Sequence, residues 1–442
     1  LPPAATDIAH YTGRILPALA ARAEVVLWTD AERWEPWLEE HAEVRRYDPG
    51  AHAPLDMAGL VPGAGAVEPV FVHMGNNALF HAGPLVLARR MPTCVVFHDI
   101  ALQDLSFGLV DHGAISSETY RDEMTRWYGD AGASAADRVL ARKATPSEEA
   151  GRHPFPEIAL TSAVAALTHT DMAFETITAR RHVPCYQLDL PFAPGPGPVC
   201  AREGEGPLRL VQFGYIAPNR RLDQVLEALA ALPPGVDFVF EIFGTVWDER
   251  HLAGKIAELG LRDRVRHRGF VAEAELDAAL ARAHLVFNLR HPTMGEASGS
   301  QLRIWAAGAA SVVTDLGWYA GLPEQTVFRI GPEGEQAALA ELVLRIDADR
   351  GLCAQVGAAG RARLEARHTP ERYAEGILEV ARHYRQDVRE GLTAARGRAL
   401  LDRLARRALA RERLARLIAS SSRASRPRAR ASATTRRSPS MW

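Results

Sequence analysis

Cysteine and long apolar runs are scarce in this chain, and each absence removes a class of protein. The four cysteines lie far apart, without a CxxC pair or a histidine pattern beside them: they are Cys94, Cys185, Cys200 and Cys353. A zinc site or a disulfide framework is therefore not indicated, and a reducing cytoplasm is expected. No segment reaches the roughly 18 to 20 apolar residues of a membrane span, and no signal-peptide pattern opens the chain. Because Leu1 is not methionine, we expect that a segment was removed or that the sequence begins inside its reading frame.

A dinucleotide-binding glycine motif is also lacking. The stretch from Gly63 to Gly65 is only a GxG, and it precedes a strand instead of following one, which weakens the case for a nucleotide-dependent oxidoreductase. What is present is a chain of 442 residues, 47% hydrophobic and 24% charged. This composition suits a soluble protein with two or three folded domains.

Charge is distributed unevenly along the chain. Residues 391–442 contain 14 Arg and two acidic residues, a net charge of +12, which leaves −14 on residues 1–390 because the whole chain carries −2. The first half of this tail has the leucine spacing of a basic helix, and the second half is of low complexity and is expected to be disordered. The tail is interpreted as a solvated appendage. Peripheral contact with an anionic membrane is the main alternative, and nucleic acid is disfavoured.

Before the tail, strands alternate with helices, which is typical of parallel sheets covered by helices on both faces. The Pro- and Gly-rich stretch at residues 191–207 has the composition of an interdomain linker. The predicted organisation is an N-terminal domain (1–190), a linker (191–207), a second domain (208–385) and the tail (386–442). The predicted fold class is therefore α/β, with two Rossmann-like, doubly wound domains that face each other across a cleft.

The segment from Leu285 to Asp315 is the most informative about function, because it predicts a strand, a loop, a helix and a second strand. In parallel sheets, ligands bind at the carboxyl ends of strands, and the free N–H groups of a helix start receive an anion well. Ser298, Gly299 and Ser300 lie at such a start. The carboxylate of Glu296 would repel phosphate, so we expect it to face neutral hydroxyls. A sugar attached to a diphosphate offers both kinds of group.

A second phosphate-type motif follows the first strand of the second domain. The sequence FGYIAPNRR, residues 213–221, leads from that strand into a helix and contains Gly214, Arg220 and Arg221. Guanidiniums at a helix start match phosphate oxygens, and the helix dipole acts in the same sense. An ordinary solvated arginine pair is the alternative, because the chain is rich in arginine.

Several longer stretches carry a family resemblance. They are GYIAPNRRLDQVLEAL, EIFGTVWDE, VRHRGFV and HPTMGEASGS followed by SVVTDLGW in the second half, and LPPAATDIAHYTGRILPAL, HMGNNALFH and VVFHDIAL in the first. Together they resemble glycosyltransferase family 4 (glycosyl transferases group 1), a retaining group of GT-B architecture, over roughly residues 1–385. The resemblance implies a hexosyltransferase that moves a sugar from a nucleoside-diphosphate sugar to a glycan, lipid-linked or other acceptor. It also implies no cofactor, no obligatory metal, and a setting in polysaccharide or cell-envelope biosynthesis.

The resemblance assigns roles to residues of this chain. Arg220 takes the place of the basic residue that neutralises the diphosphate, and Glu296 that of the glutamate that contacts hydroxyls of the transferred sugar. His98 resembles a histidine that faces the donor sugar from the first domain. These three are the implied catalytic residues. The implied donor-binding residues are Gly214, Arg220, Arg221, Phe243, Gly244, Phe270, Val271, Glu296, Ser298, Gly299 and Ser300.

Polar residues at strand ends of the first domain are interpreted as acceptor contacts. They are His73, Asn76, Asn77 and Asp99. Each has a structural alternative: His73, Asn76 and Asn77 can form turns at a strand end, and Asp99 can cap the segment that follows it. The alternative for His98 is that it satisfies a backbone carbonyl.

The sequence departs from the family pattern in three ways. The second glutamate of the family's pair, which holds the ribose hydroxyls, falls on Ile304, or on Arg303 if the later glycine is aligned. Tyr215 stands where many relatives carry an arginine. Relatives begin with a strand before the LPP segment, so a central strand of the first sheet is expected to be missing and folding of that domain to suffer.

The sequence therefore predicts a retaining glycosyltransferase in the cytoplasm. Peripheral contact of the tail with the inner membrane face is the alternative to a solvated tail. We expect front-face attack, with the leaving phosphate as proton acceptor. A catalytically silent nucleotide-sugar-binding subunit or scaffold is the alternative from another class, favoured by the missing glutamate and by the absent first strand. A phosphorylase or epimerase on the same fold stays open, because a fold does not fix a function.

Overall fold

The computed structural model describes residues 1–3, 7–49, 68–180, 183–193, 206–384 and 386–387. The Arg-rich tail with its predicted helix and disorder, most of the predicted linker, and Cys200 lie outside the described residues. Residues Leu1–Val388 form one compact unit, within which two lobes each contain a parallel sheet. No described helix is both long and apolar enough to cross a membrane.

The first lobe places a four-stranded parallel sheet between helices. Its elements are α1 (Asp7–Ala20), β1 (Val26–Thr29), β2 (Glu43–Arg46), β3 (Phe71–Met74), α2 (Ala78–Arg90), β4 (Thr93–Phe97), α3 (Gln103–Asp111), α4 (Ser117–Leu140), α5 (Pro146–Ala150), β5 (Ala163–Thr168), α6 (Asp171–Arg180) and β6 (Cys185–Gln187). The sheet order is β3-β4-β5-β6, and β1 pairs with β2 in a separate parallel sheet. Both central strands are buried along their whole length, as expected where helices cover both faces.

The second lobe has a six-stranded parallel sheet. Its elements are β7 (Leu208–Phe213), α7 (Leu222–Ala230), β8 (Phe238–Phe243), α8 (Glu249–Glu258), β9 (Val265–Gly269), α9 (Glu273–Arg282), β10 (Leu285–Phe287), α10 (Gly299–Ala306), β11 (Ala310–Thr314), β12 (Phe328–Ile330), α11 (Glu335–Ala348) and α12 (Gly351–Arg367). The order β12-β11-β10-β7-β8-β9 runs in chain order outward from β7 in one direction and from β10 in the other. The topological switch point therefore lies between β7 and β10, where such sheets bind ligands.

A final helix over residues 370–384, α13, contacts the first lobe, although the sequence places it with the second domain. Tyr373, Ile377, Val380 and Tyr384 share an apolar cluster with strands β4 and β5 and with α1. The Tyr384 hydroxyl also donates to the Pro92 carbonyl at 2.7 Å. These contacts return the end of the described chain to the first sheet.

The predicted fold class is confirmed: both lobes are α/β with parallel sheets. The predicted strand at residues 238–243 has the observed bounds of β8, and the strand predicted at residues 285–289 ends at Phe287. The apolar run continues to Leu289, but Asn288 interrupts it with a buried amide. The Asn288 side chain at this strand end forms hydrogen bonds with Arg220 and Gln301.

Candidate active site

Three glycines end the three neighbouring strands β7, β8 and β9 of the second lobe. Gly214, Gly244 and Gly269 have φ values of 105°, 104° and 66°, which other residues rarely adopt. The Gly244 N–H donates to the Gly269 carbonyl at 2.7 Å, and a Cβ on Gly244 would lie 2.1 Å from the Gly214 oxygen. The loops therefore approach each other as closely as bare backbone allows.

Arg220 reaches across the switch point from the β7 loop to the end of β10. Its Nη1 donates to the Asn288 Oδ1 at 3.1 Å, and its Nη2 lies 3.4 Å from the position of a Cβ on Gly214. The Arg220 carbonyl accepts from the Gln212 side chain at 2.9 Å, so both the backbone and the guanidinium of Arg220 are held by hydrogen bonds. The guanidinium is thus fixed beside the first of the three glycines.

Asn288 connects this arginine to the start of α10. Its Nδ2 donates to the Gln301 Oε1 at 3.0 Å, and Gln301 Nε2 donates to the Ser311 Oγ at 2.7 Å. Ser298 caps the helix, because its Oγ accepts from the Gln301 N–H at 3.1 Å. The buried amides thus hold the strand end, the helix cap and the guanidinium together.

Arg220 and the α10 start therefore lie at one place, as the sequence predicts. Gly299 and Ser300 belong to the first turn of α10, whose N–H groups a helix cannot bond internally, and both residues are half-buried. A guanidinium and a helix N-terminus at a switch point form a site for an anion such as a diphosphate. The Ser298 hydroxyl, by contrast, already serves as the cap.

Glu296 lies in the loop before α10, and its carboxylate is held by three donors of that loop. Arg290 forms an ion pair with Oε1, the Met294 N–H donates to Oε2 at 2.7 Å, and the Thr293 hydroxyl donates to Oε2 at 3.1 Å. Burial alone would raise the pKa of this carboxyl, but the Arg290 charge and the hydrogen bonds outweigh it and lower the pKa. The carboxylate is therefore charged at neutral pH and fixes the shape of its loop.

The same loop contacts the first lobe. The Met294 carbonyl accepts from the Ala101 N–H at 3.3 Å, and the Gly295 carbonyl accepts from the Thr170 hydroxyl at 3.0 Å. Gly295 has φ 79°, and a Cβ there would lie 2.4 Å from a methyl of Ile100. Only glycine permits this approach of the two lobes.

In the first lobe, His98 belongs to a buried aromatic cluster. Its Nε2 lies 3.0 Å from the His73 Nδ1, a hydrogen bond in which either nitrogen can be the donor. The Tyr11 ring from α1 lies edge-on to both histidines, at centroid distances of 4.7 Å to His98 and 5.2 Å to His73. His169 is 5.1 Å from His98, centroid to centroid. Three strand ends, those of β3, β4 and β5, thus each contribute one histidine.

These histidines are neutral at pH 7. Burial, and then the neighbouring histidines, lower the pKa of His73 to about 3 and hold the pKa of His98 well below its usual value. Burial lowers the pKa of His169 to about 4. Its Nδ1 donates to the Leu188 carbonyl at 2.9 Å, so Nε2 is the unprotonated nitrogen of the neutral ring. Among the described residues, no group of three or more His, Cys, Asp or Glu is arranged to hold a metal ion.

Two side chains that are predicted to bind the donor make other contacts in the structure. The Arg221 Nε donates to the Glu335 Oε2 at 2.7 Å in a largely buried ion pair, so this guanidinium is directed to α11 and not to the switch point. The Phe243 side chain is buried in the apolar cluster of Val286 and Ile304. Both predictions are corrected for the same reason: the side chain is engaged in the interior of the lobe.

The two asparagines that are predicted as acceptor contacts have structural roles, as a helix cap and as a link to a helix. Asn77 caps α2 through its side chain, which accepts from the Leu79 N–H at 2.9 Å. The Asn76 side chain donates to Asp104 at 2.8 Å, and its N–H donates to Asp99 at 2.9 Å. The Asp99 carboxylate therefore fixes the backbone of residue 76, which follows the neighbouring strand β3.

The structure also shows the surroundings of the two residues that align with the absent second glutamate. Ile304 is fully buried, and Arg303 donates to the Asp277 carboxylate at 2.8 Å. Neither can supply a carboxylate for ribose hydroxyls. Val271 is half-buried against the sheet, whereas the neighbouring Phe270 ring is exposed.

Sequence reasoning missed Asn288, Gln301, Arg290 and Tyr11 and left His169 without a role. A signal existed for Asn288, an amide inside the apolar run LVFNL, and for His169, the third histidine at a strand end. No sequence signal identified Arg290 or Tyr11, because their partners are set by tertiary contacts.

Residues 220–379 match a family model described as glycosyl transferase-like. Over this stretch the chain is similar to that family. The matched stretch includes Arg220, Asn288, Glu296 and the α10 start. The prediction of an enzyme of the glycosyltransferase class is confirmed at this level. No curated protein sequence matches the chain.

Solved structures with the same fold are glycosyltransferases of GT-B architecture. HepE from Anabaena, solved in complex with UDP and glucose, is 15% identical, with 85% of this chain and 95% of that chain covered and a TM-score of 0.53. Sucrose-phosphate synthase from Thermosynechococcus elongatus is 17% identical, with 85% and 92% covered and a TM-score of 0.53. The lipopolysaccharide outer core galactosyltransferase WaaB, in apo form, is 11% identical, with 85% and 96% covered and a TM-score of 0.50. At this identity the likeness shows the two-lobed fold.

Proposed function

We propose that this protein is a retaining glycosyltransferase that transfers a hexosyl group from a nucleoside-diphosphate sugar without an obligatory metal. The observation that carries the proposal is the network in which Asn288 joins the Arg220 guanidinium to the start of α10 at the switch point. Negative charge grows on the departing diphosphate in the transition state. A cation and helix N–H groups fixed in advance stabilise that charge without reorganising.

The proposed reaction has attack and departure on one face of the sugar, with the leaving phosphate as proton acceptor. Glu296 is the carboxylate nearest to this role, but it is held by Arg290 and two further donors, which disfavours a covalent intermediate on it. In this proposal Glu296 contacts sugar hydroxyls only through a lone pair that its loop leaves available. The acceptor is a glycan or lipid-linked molecule, and the setting is the cytoplasmic face of the membrane.

Replacing Arg220 tests the proposal. Arg220→Ala should lower kcat/KM for donor hydrolysis or transfer. The loss of transition-state stabilisation calculated from the ratio of kcat/KM values should be about 1.5 to 3 kcal/mol, the contribution of a charge-assisted contact, and Arg220→Lys should restore part of it. Arg221→Ala is the matched control, since its guanidinium pairs with Glu335. UDP-sugars are the first donors to test, because HepE was solved with UDP and glucose. Equal rates for wild type and Arg220→Ala would exclude this mechanism.

A silent nucleotide-sugar binder is the second candidate, favoured by the buried Ile304 and by the engagement of Glu296 inside its own loop. A thermal-shift panel of UDP-, GDP- and ADP-sugars detects donor binding, because a ligand that prefers the native state raises its stability. Binding without release of nucleoside diphosphate, even with a crude acceptor extract, would favour the binder over the enzyme.

A further inference from the structure

Two half-buried histidines of the first lobe bond each other close to the contact between the lobes. His73 lies near the end of β3, and His98 directly follows the neighbouring strand β4. Shortly after His98, the Ala101 N–H donates to the Met294 carbonyl of the second lobe at 3.3 Å. We call His73 and His98 the histidine pair, and its position brings it to the side of the first lobe that meets the second.

Buried side chains enclose the histidine pair. The Tyr11 ring is buried and lies edge-on to both rings of the pair, and the buried His169 ring lies 5.1 Å from His98, centroid to centroid. In such low-dielectric surroundings a hydrogen bond is stronger than in water, and the loss of a partner costs more. The bond within the pair is therefore able to control the protonation pattern of both rings.

Counting protons shows what this bond leaves for a ligand. A neutral imidazole has one N–H and one bare nitrogen, and the 3.0 Å contact of the His73 Nδ1 with the His98 Nε2 uses one of each kind. The remaining ring nitrogen of His98 is Nδ1, which has no hydrogen bond to the described part of the chain. An isolated neutral imidazole side chain prefers its proton on Nε2. If the His98 Nε2 donates, both rings have this preferred form, whereas the opposite direction places both protons on Nδ1.

The titratable groups around His98 are uncharged at neutral pH. They face it from four elements: Tyr11 from α1, His73 from β3, His81 from α2 and His169 from the end of β5. Burial lowers the pKa of His73 to about 3 and the pKa values of His81 and His169 to about 4, and it raises the pKa of Tyr11. None of these four groups supplies a negative charge that would favour a protonated His98.

We propose that His73 is a positioning residue, which holds His98 in the Nε2–H form so that the bare His98 Nδ1 accepts a hydrogen bond from a hydroxyl of the transferred sugar. This inference rests on the proposed function, because it requires a donor sugar beside His98, as the family resemblance implies. His73 thus acts through His98, a role different from the acceptor contact that the sequence predicts.

Nuclear magnetic resonance reads the protonated nitrogen directly and does not depend on activity. In long-range ¹H–¹⁵N spectra of the full chain labelled with ¹⁵N-histidine, His98 should show a protonated Nε2 and a bare Nδ1 at pH 7. The signals are assigned by their loss in His98→Gln. In His73→Leu the shifts of the two His98 nitrogens should move toward each other, because neither form is then fixed. A protonated His98 Nδ1 in the wild type, or unchanged shifts in His73→Leu, would overturn the proposal.

Hydrolysis of UDP-glucose supplies the functional readout. His73→Leu should lower kcat/KM about three- to tenfold, the effect of one hydrogen bond, and His73→Asn should restore most of it, because its amide oxygen can accept from the His98 Nε2. His73→Asp also keeps an acceptor, but its negative charge should raise the pKa of His98. For that variant kcat/KM should fall as pH falls through the raised pKa, an acid limb that is absent from the wild type and from His73→Asn.

A role in packing alone would not create this acid limb. His112→Leu, on an exposed side chain at the end of α3, is the control and should change neither the rates nor the His98 shifts. The urea midpoint of each variant is measured beside its rate. His73→Asn and His73→Asp keep the test decisive if His73→Leu does not fold.

The outcomes separate the two proposals. If the wild type turns over no UDP-, GDP- or ADP-sugar, the proposed function fails, whichever nitrogen of His98 carries the proton. If it turns over a donor and the His73 variants keep the wild-type rate and pH profile, the function stands and the positioning role of His73 is overturned.

Discussion

The buried ion pair of Arg290 and Glu296 leads to the sharpest prediction about stability. Their side chains are 17% and 10% exposed, so each charge depends on the other and on the loop for its solvation. Arg290→Met removes the counter-charge of the carboxylate and leaves it with hydrogen bonds of its own loop, among them those from the Met294 N–H and the Thr293 hydroxyl. Glu296→Gln leaves a buried guanidinium without its counter-charge.

Removing one partner of a buried pair costs about 3 to 5 kcal/mol, because an uncompensated charge stays in the interior. For Arg290→Met we expect the lower end, about 3 kcal/mol, since two donors to Glu296 remain. The double variant Arg290→Met, Glu296→Gln buries no charge. It should therefore be less destabilised than the sum of the single variants by about 2 kcal/mol, a coupling of the size that double-mutant cycles measure for contacting residues.

Urea unfolding followed by tryptophan fluorescence measures these free energies. The control is Arg268→Met, which breaks a pair with Glu275 whose side chains are 43% and 47% exposed, and it should cost at most about 1 kcal/mol. Added salt should reduce the effect of the control and leave the Arg290 effect nearly unchanged, because buried pairs are weakly screened. Additive single effects below about 1 kcal/mol would refute the reasoning.

Three further predictions concern the network, a glycine and the histidines. Asn288→Ala should weaken nucleoside-diphosphate binding by about 1 to 2 kcal/mol in calorimetry, because Arg220 loses an acceptor; unchanged affinity would exclude a positioning role. Gly244→Ala should destabilise by at least about 2 kcal/mol in urea, because φ is 104° and a Cβ would lie 2.1 Å from a backbone oxygen, whereas Gly254→Ala, in open helical space, should not. The pKa of His169 is lowered to about 4, so the unfolded chain binds the proton first; stability present above about pH 6.5 is lost as pH falls toward 4, by about 2 kcal/mol between pH 7 and 5. His169→Phe should flatten this acid limb of a stability–pH profile, and an unaltered limb would contradict the assignment.

Local pattern predicted most strands of the second lobe, because they follow from apolar runs and from the glycines after them. The run FVFEIF predicts β8 with its observed bounds, and HPTMGEASGS predicts a loop that ends in the Ser298 cap. These features depend on residues close in sequence. The carboxyl-edge location of Gly214 and Arg220 then follows from parallel topology alone.

Partner choice could not be predicted, because it depends on which side chains the fold brings together. Arg220 and Arg221 are adjacent, yet the first bonds Asn288 at the switch point and the second bonds Glu335, 114 residues away. The difference arises at the turn: Arg221 has φ 59°, which directs the two guanidiniums apart. Arginine spacing carries no information about such a turn.

The loop that holds Glu296 also contacts the first lobe, because the Met294 and Gly295 carbonyls accept from the Ala101 N–H and the Thr170 hydroxyl. The carboxylate accepts from the Met294 N–H while the Met294 carbonyl accepts from Ala101, so one peptide segment is fixed from both sides. A sugar hydroxyl that bonds Glu296 must compete with donors that shape this segment. If the protein has the proposed function, donor binding and the contact between the lobes are therefore coupled through the same few atoms, and a ligand can shift the lobe contact only by its preference for one arrangement of this loop.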